Sequence, residues 1–202
     1  MANRSYLYSI DFDSTIEKRS DDKKIIGLSE WAYMIPLAYK ILVSQNSKLS
    51  ESIIFGYDKP IAIIGDFHKG REKLFLFLDE LLKTDLLDKQ ELEAQINATK
   101  EYLYDTKNEN KYIILECGEI YDMDSEALEE QNKKLYENEI IKIDEAIKTF
   151  ITEIQTPKTT EDEKTRLAIL ARRHNMSVDQ IINTEKLDLL GIGYWSDVLY
   201  YS

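Results

Sequence analysis

The sequence predicts an α+β (or α/β) domain with a small mixed sheet of about four strands and a mainly helical C-terminal half. Four short apolar runs with strand character occur before residue 116. Beyond them, 125–154 contains neither glycine nor proline and carries apolar residues at helical spacing. A length of 202 residues suits one domain, and a hydrophobic fraction of 43% is enough for a core.

The strands follow from alternating or continuous apolar runs. The predicted strands are 5–11, 52–55, 61–64 and 112–115. The run 61–64 is apolar on both faces, which predicts an interior position in the sheet. Residues 12–28 are polar and charged, and they predict a long surface loop.

The helices follow from apolar spacing and capping residues. Pro36 begins the first helix, a second follows residue 70, and Asp88 caps a third. The stripe from Tyr136 to Ile154 predicts one long helix packed on the rest of the protein; a coiled coil is the alternative, but the repeat covers few heptads. A linker at 156–160 and two capping boxes then predict helices near 161–174 and 178–190.

We expect a single domain in two parts. Residues 1–155 form an α/β core that includes the long helix, and 156–202 form a helical extension packed on that core. The tail 194–201 is rich in aromatic residues, so we expect it to dock on the body rather than lie in water, with docking in a partner as the alternative.

The charge balance excludes several functions. The chain carries 38 acidic and 26 basic side chains, a net charge of −12. It lacks the basic face that nucleic acid or anionic lipid requires. No apolar run approaches the ~18 residues of a membrane span, and we see no secretory signal, so we expect a cytoplasmic protein. Cys117 is the single cysteine, so no intramolecular disulfide can form, and acidic neighbours disfavour a reactive thiolate there.

A strand that ends in Gly-Asp-x-His occurs at 61–70, which reads IAIIGDFHKG. This segment resembles the first motif of calcineurin-like metallophosphoesterases. The resemblance implies that Asp66 and His68 ligate a dinuclear metal centre. The family's second motif is missing, because Glu119 stands where that motif has aspartate, and the chain has only two histidines. The alternative is that Asp66 caps the following helix.

The acid excess is concentrated at 116–130, which holds seven carboxylates and no lysine or arginine. Dense carboxylates attract and orient a basic partner. The partner-binding candidates are Glu119, Asp122, Asp124, Glu126, Glu129 and Glu130. The alternative is a solvated loop whose last acids stabilise a helix N-terminus.

The segments MANRSYLYS at 1–9, IAIIGDF at 61–67 and LECGEIY at 115–121 resemble a family of uncharacterised bacterial proteins. Size and charge then lead, by analogy, to a cytoplasmic bacterial protein that binds a basic protein. One such role is an immunity protein that neutralises a toxin domain. An enzyme is disfavoured and no cofactor is expected. The alternatives are a phosphoesterase-like protein that uses Asp66 and His68, and a structural protein that forms a homo-oligomer.

Overall fold

An antiparallel sheet forms the centre of the protein. The computed structural model describes residues 3–56, 59–156 and 160–201. Within them the strands are β1 Arg4–Ile10, β2 Ile25–Ala32, β3 Lys48–Ser50, β4 Ala62–Asp66 and β5 Tyr112–Glu116. Their order is β2-β1-β5-β4-β3, and all four pairings are antiparallel. The α+β class is confirmed. The sheet has five strands rather than about four, and its described pairings are antiparallel instead of mixed.

Two predicted elements before residue 60 differ from the structure. The predicted loop 12–28 contains the start of β2, whose pairing with β1 shifts register between Leu7 and Tyr8. The predicted strand 52–55 is a bend, because Ser52 Oγ accepts the backbone N–H groups of Ile54 and Phe55 that a strand would use for pairing. The third strand lies just before it.

All of the described α-helices except the seventh contribute to a core on one face of the sheet, and the seventh packs against the eighth. The described helices are α1 Leu37–Val43, α2 Phe67–Leu82, α3 Lys89–Leu103, α4 Gly118–Tyr121, α5 Leu128–Leu135, α6 Ile143–Gln155, α7 Glu161–His174 and α8 Val178–Leu190. The main core includes Leu7, Ile63 and Leu115 from the sheet. No helix in the described ranges has both the length and the apolar character to cross a membrane.

The predicted single long helix is wrong, because a π-helix and a turn divide it. The π-helix Tyr136–Ile140 follows α5, and the backbone N–H of Ile141 donates to the carbonyl of Tyr136 at 3.0 Å. The Tyr136 hydroxyl reaches the carbonyl of Ser47, and Ile140 is completely buried. The π-helix therefore keeps Ile140 in contact with the core, and the turn after it changes the direction of the chain before α6.

The opposite face of the sheet is covered by chain without regular structure. Its core includes Tyr6, Tyr8 and Ile114, together with Ile53 from the bend and Leu199 from the C-terminal tail. The Tyr8 hydroxyl donates to the carbonyl of Tyr201 at 2.6 Å. The aromatic tail contacts the body through Leu199 and Tyr201, as predicted, whereas Tyr194 and Val198 are largely exposed.

One of the two predicted capping boxes is complete, at Ser177 and Gln180. At Thr160 only half of the predicted box forms: Thr160 accepts the backbone N–H of Glu163, but the Glu163 carboxylate accepts hydrogen bonds from Arg166 instead of reaching back to Thr160. Residues 157–159 of the predicted linker lie outside the described residues. The division of the chain at residue 155 stays a prediction.

Candidate protein-binding surface

The loop 122–127 between α4 and α5 is held at both ends by a side chain of α5. The side chain of Gln131 donates to the carbonyl of Tyr121 at 2.9 Å and to the carbonyl of Glu126 at 2.8 Å. One amide of α5 therefore satisfies two carbonyls, that of the last residue of α4 and that of Glu126 in the loop. This link fixes the path of the backbone between them.

A second, buried amide connects α5 to the sheet. Asn132 donates to the carbonyls of Pro60 and Ala62 at 2.8 and 3.1 Å, and it accepts the hydroxyl of Tyr121 at 2.9 Å. Its side chain is almost inaccessible to solvent. Because a buried amide is costly without partners, these bonds favour one position of α5 against β4. The loop is thus presented by a defined scaffold.

The six predicted binding carboxylates fall into three groups. Asp122, Asp124 and Glu130 are exposed, and none of them forms an ion pair within the described residues. Glu126 pairs with Lys134, and Glu129 pairs with Lys59, which lowers the pKa of the Glu129 carboxyl. The remaining one, Glu119, faces the body of the protein.

Glu119 acts as a link between α4 and β1. Its Oε2 accepts the backbone N–H of Arg4 at 2.9 Å and the hydroxyl of Tyr6 at 2.8 Å. Two of its acceptor directions are therefore already used inside the protein. We exclude Glu119 from the exposed surface for this reason.

An exposed methionine lies among the free carboxylates. Met123 is 57% exposed and stands between Asp122 and Asp124. A methionine in water offers an adaptable apolar contact that side chains of different shapes can use. We define the acidic loop surface as Asp122, Met123, Asp124 and Glu130.

The predicted metal ligands Asp66 and His68 make contacts that belong to the fold. Asp66 accepts the backbone N–H of Lys69 at 3.0 Å and so caps α2. His68 lies near Glu109, with 3.6 Å between Nδ1 and Oε1. In the parts of the chain that the structure describes, no group of three or more His, Cys, Asp or Glu side chains could hold a metal ion.

The glycines of the same motif allow two backbones to approach closely. A Cβ atom at Gly65 would lie 2.3 Å from the carbonyl oxygen of Val43, and one at Gly70 would lie 1.8 Å from that of Leu42. Both carbonyls belong to α1. The Gly-Asp-x-His-x-Gly pattern is therefore explained by a helix cap and by the packing of α1 against β4 and α2.

We expect Asp66→Ala to lower the free energy of unfolding by about 1 kcal/mol, because α2 loses its N-cap. Asp66→Asn should recover most of that loss, since asparagine also caps. Urea denaturation measures both effects, with His68→Ala as the control. A loss in Asp66→Asn as large as in Asp66→Ala would contradict the cap. A Mn²⁺-dependent stabilisation lost in both Asp66→Asn and His68→Ala would support a metal site instead.

A fully buried carboxyl, that of Glu116, lies at the end of β5 and is the first of the acidic stretch 116–130. Glu116 is inaccessible to solvent, and its Oε1 accepts the backbone N–H of Ile53 at 2.7 Å. Its Oε2 has no hydrogen-bond partner within the described residues. Burial raises the pKa of this carboxyl from 4.5 to about 8.

Cys117 is also buried, and burial raises the pKa of its thiol, which agrees with an unreactive cysteine.

A family model described as a domain of unknown function (DUF7822) matches residues 14–157. The match covers most of the 202 residues, so the chain belongs to this family. The matched range includes the acidic loop surface and the segment Gly65–Gly70 that joins β4 to α2, whereas α7, α8 and the tail lie beyond it. No curated protein and no solved structure matches the chain.

Proposed function

We propose that this protein binds a basic protein through the acidic loop surface. The observation that carries the proposal is the exposure of Asp122, Met123 and Asp124 on a loop whose two ends are bonded to Gln131. Carboxylates attract a positively charged partner over a long range and orient it before contact. Met123 then supplies an apolar contact at the centre of the charged surface.

The fixed backbone favours binding because less conformational freedom is lost when the partner docks. Gln131 and Asn132 hold the loop before any partner arrives, so the surface is prepared for contact. Lys134 and Lys59 form ion pairs with Glu126 and Glu129, so these two carboxylates are less available to a partner. The proposed contact surface therefore includes only part of the acidic stretch 116–130.

The class of partner that we favour is a toxin domain with a basic active surface. A small acidic protein that covers such a surface would block access to a negatively charged substrate. This role is that of a cytoplasmic bacterial immunity protein, and it rests on charge and size. The exposed acidic loop surface does not favour the two alternatives, which are a phosphoesterase that uses Asp66 and His68 and a homo-oligomer.

Site-specific photocrosslinking in the source cells tests the location of the contact. We expect a photoreactive phenylalanine at Met123 to capture one protein with a basic domain. The same residue at Leu76 serves as the control, because Leu76 is 68% exposed on α2, outside the acidic loop surface. Capture at Leu76 and not at Met123, or capture only of acidic proteins at Met123, would contradict the proposal.

A further inference from the structure

A groove of about 410 Å³ lies between the start of α1, the π-helix, α6 and α8. Half of its lining residues are apolar, namely Met34, Ile35, Leu37, Ala146, Phe150 and Leu189. The sequence did not indicate it, because its walls come from four segments that are distant along the chain. The apolar stripe of α6 predicted burial, and Phe150 is buried as that stripe requires.

The rim of this groove is acidic. Glu145 and Glu153 lie on α6 eight residues apart, on the same side of the helix and roughly 12 Å from each other. Neither forms an ion pair within the described residues. The third rim glutamate, Glu139, pairs with Lys40 at 2.6 Å, and Lys40 is the rim's only basic residue in the described chain. The carboxylates therefore exceed the ammonium groups by two.

Two unusual backbone conformations border the groove. Tyr33 has a φ of 64° and is 63% exposed, and it directly precedes the groove residues Met34 and Ile35. On the other side, the π-helix carries Glu139. A left-handed aromatic residue and a π-turn both have an energetic cost, and such features concentrate where they shape a binding surface.

We propose that this groove is a second binding site, which takes a segment of a partner protein with an apolar anchor flanked by lysine or arginine. The apolar lining residues contact the anchor, and Glu145 and Glu153 pair with the flanking cations. Nucleic acid and anionic lipid do not fit, because the rim would repel their phosphates. A second copy of this chain fits poorly, since it brings a net charge of −12 to an acidic rim.

A defined peptide tests the site without knowledge of the natural partner. The probe is a fluorescent 16-residue amphipathic peptide of leucine and lysine, and its counterpart has glutamate for lysine. We expect the lysine peptide to bind at low salt and the glutamate peptide not to bind. The double variant Glu145→Lys/Glu153→Lys should weaken binding about tenfold. Fluorescence anisotropy measures each affinity.

Three matched variants make the result decisive. Glu93→Lys/Glu101→Lys changes the net charge equally on exposed positions of α3 and should leave the affinity within about twofold. Thr149→Trp fills the groove from an exposed position without a change of charge and should weaken binding about tenfold. The third variant, Asp122→Lys/Asp124→Lys, alters only the acidic loop surface.

The outcomes separate the two surfaces. Three results would overturn the groove proposal: absence of lysine-peptide binding, an equal loss of affinity in Glu145→Lys/Glu153→Lys and Glu93→Lys/Glu101→Lys, or unchanged affinity in Thr149→Trp. Loss only in Asp122→Lys/Asp124→Lys would also overturn it, while the proposed role of the acidic loop surface would stand. Circular dichroism melting of each variant confirms that it is folded at the temperature of the assay.

Discussion

Replacement of Gly70 with alanine is expected to lower the free energy of unfolding by about 3 kcal/mol or more. Alanine is the better helix former by roughly 1 kcal/mol, so the helix itself would gain. The new Cβ would, however, stand 1.8 Å from the carbonyl oxygen of Leu42. That atom belongs to the backbone of α1 and cannot rotate away. The clash therefore outweighs the gain in helix propensity.

Urea denaturation of Gly70→Ala measures the loss, and Gly56→Ala is the matched control. No described atom lies within 4 Å of a Cβ built at Gly56, so its effect should stay within about 0.5 kcal/mol. Equal stability of Gly70→Ala and the wild type would show that the backbone of α1 does not approach Gly70 of α2 as closely as described. It would also remove the packing explanation for the glycines at 65–70.

The stability of the protein is expected to fall between pH 5 and pH 8 because of Glu116. In this range the carboxyl is ionised in the unfolded chain, with its ordinary pKa of 4.5, but protonated in the folded protein, where the pKa is about 8. The folded state thus binds one more proton. The contribution of Glu116 to stability is present below the unfolded pKa and decreases, by roughly 1 kcal/mol per pH unit, until the pH reaches the folded pKa.

Glu116→Gln removes this dependence, since glutamine does not ionise and its carbonyl can still accept the N–H of Ile53. The free energy of unfolding of the variant should therefore rise relative to that of the wild type as the pH increases from 5 to 8. Glu93→Gln on the exposed side of α3 is the control and should leave the pH dependence unchanged. Parallel pH profiles for the wild type and Glu116→Gln would contradict a buried, protonated carboxyl.

Local patterns were sufficient for much of the fold. The continuous apolar run before Gly65 identified β4 and its interior position in the sheet, where its neighbours are β5 and β3. The N-cap of α2 at Asp66 was recognisable because Asp66 directly precedes a helical pattern. In each of these elements, the residues that define the structure are neighbours in the sequence.

The missed strand depends on a distant segment. In β2, Gly27 interrupts the alternation of side chains, and a Cβ there would lie 2.8 Å from Leu199 Cγ. That glycine makes room for the C-terminal tail, and Ser196 in the tail donates its backbone N–H to Leu28 at 2.9 Å. The reason for the irregular pattern thus lies about 170 residues further along the chain, beyond the reach of a periodicity argument.

The acidic surface was predicted only as a region. The sequence placed six candidate carboxylates between Glu119 and Glu130, but tertiary contacts decide which of them reach solvent as free charges. Tyr6 takes up Glu119 from a separation of 113 residues, and Lys59 neutralises Glu129 from a separation of 70. Such pairings require the folded arrangement of β1, α4 and α5. The groove beside the π-helix was missed for the same reason.

The association rate of the protein with the partner captured at Met123 tests the binding role most directly. We expect Asp122→Lys/Asp124→Lys to slow association at 50 mM salt by about tenfold or more, and Glu93→Lys/Glu101→Lys to slow it by much less. High salt should reduce the difference between the two variants, because it screens the attraction. Equal rates for the two variants at low salt would contradict the role of the acidic loop surface.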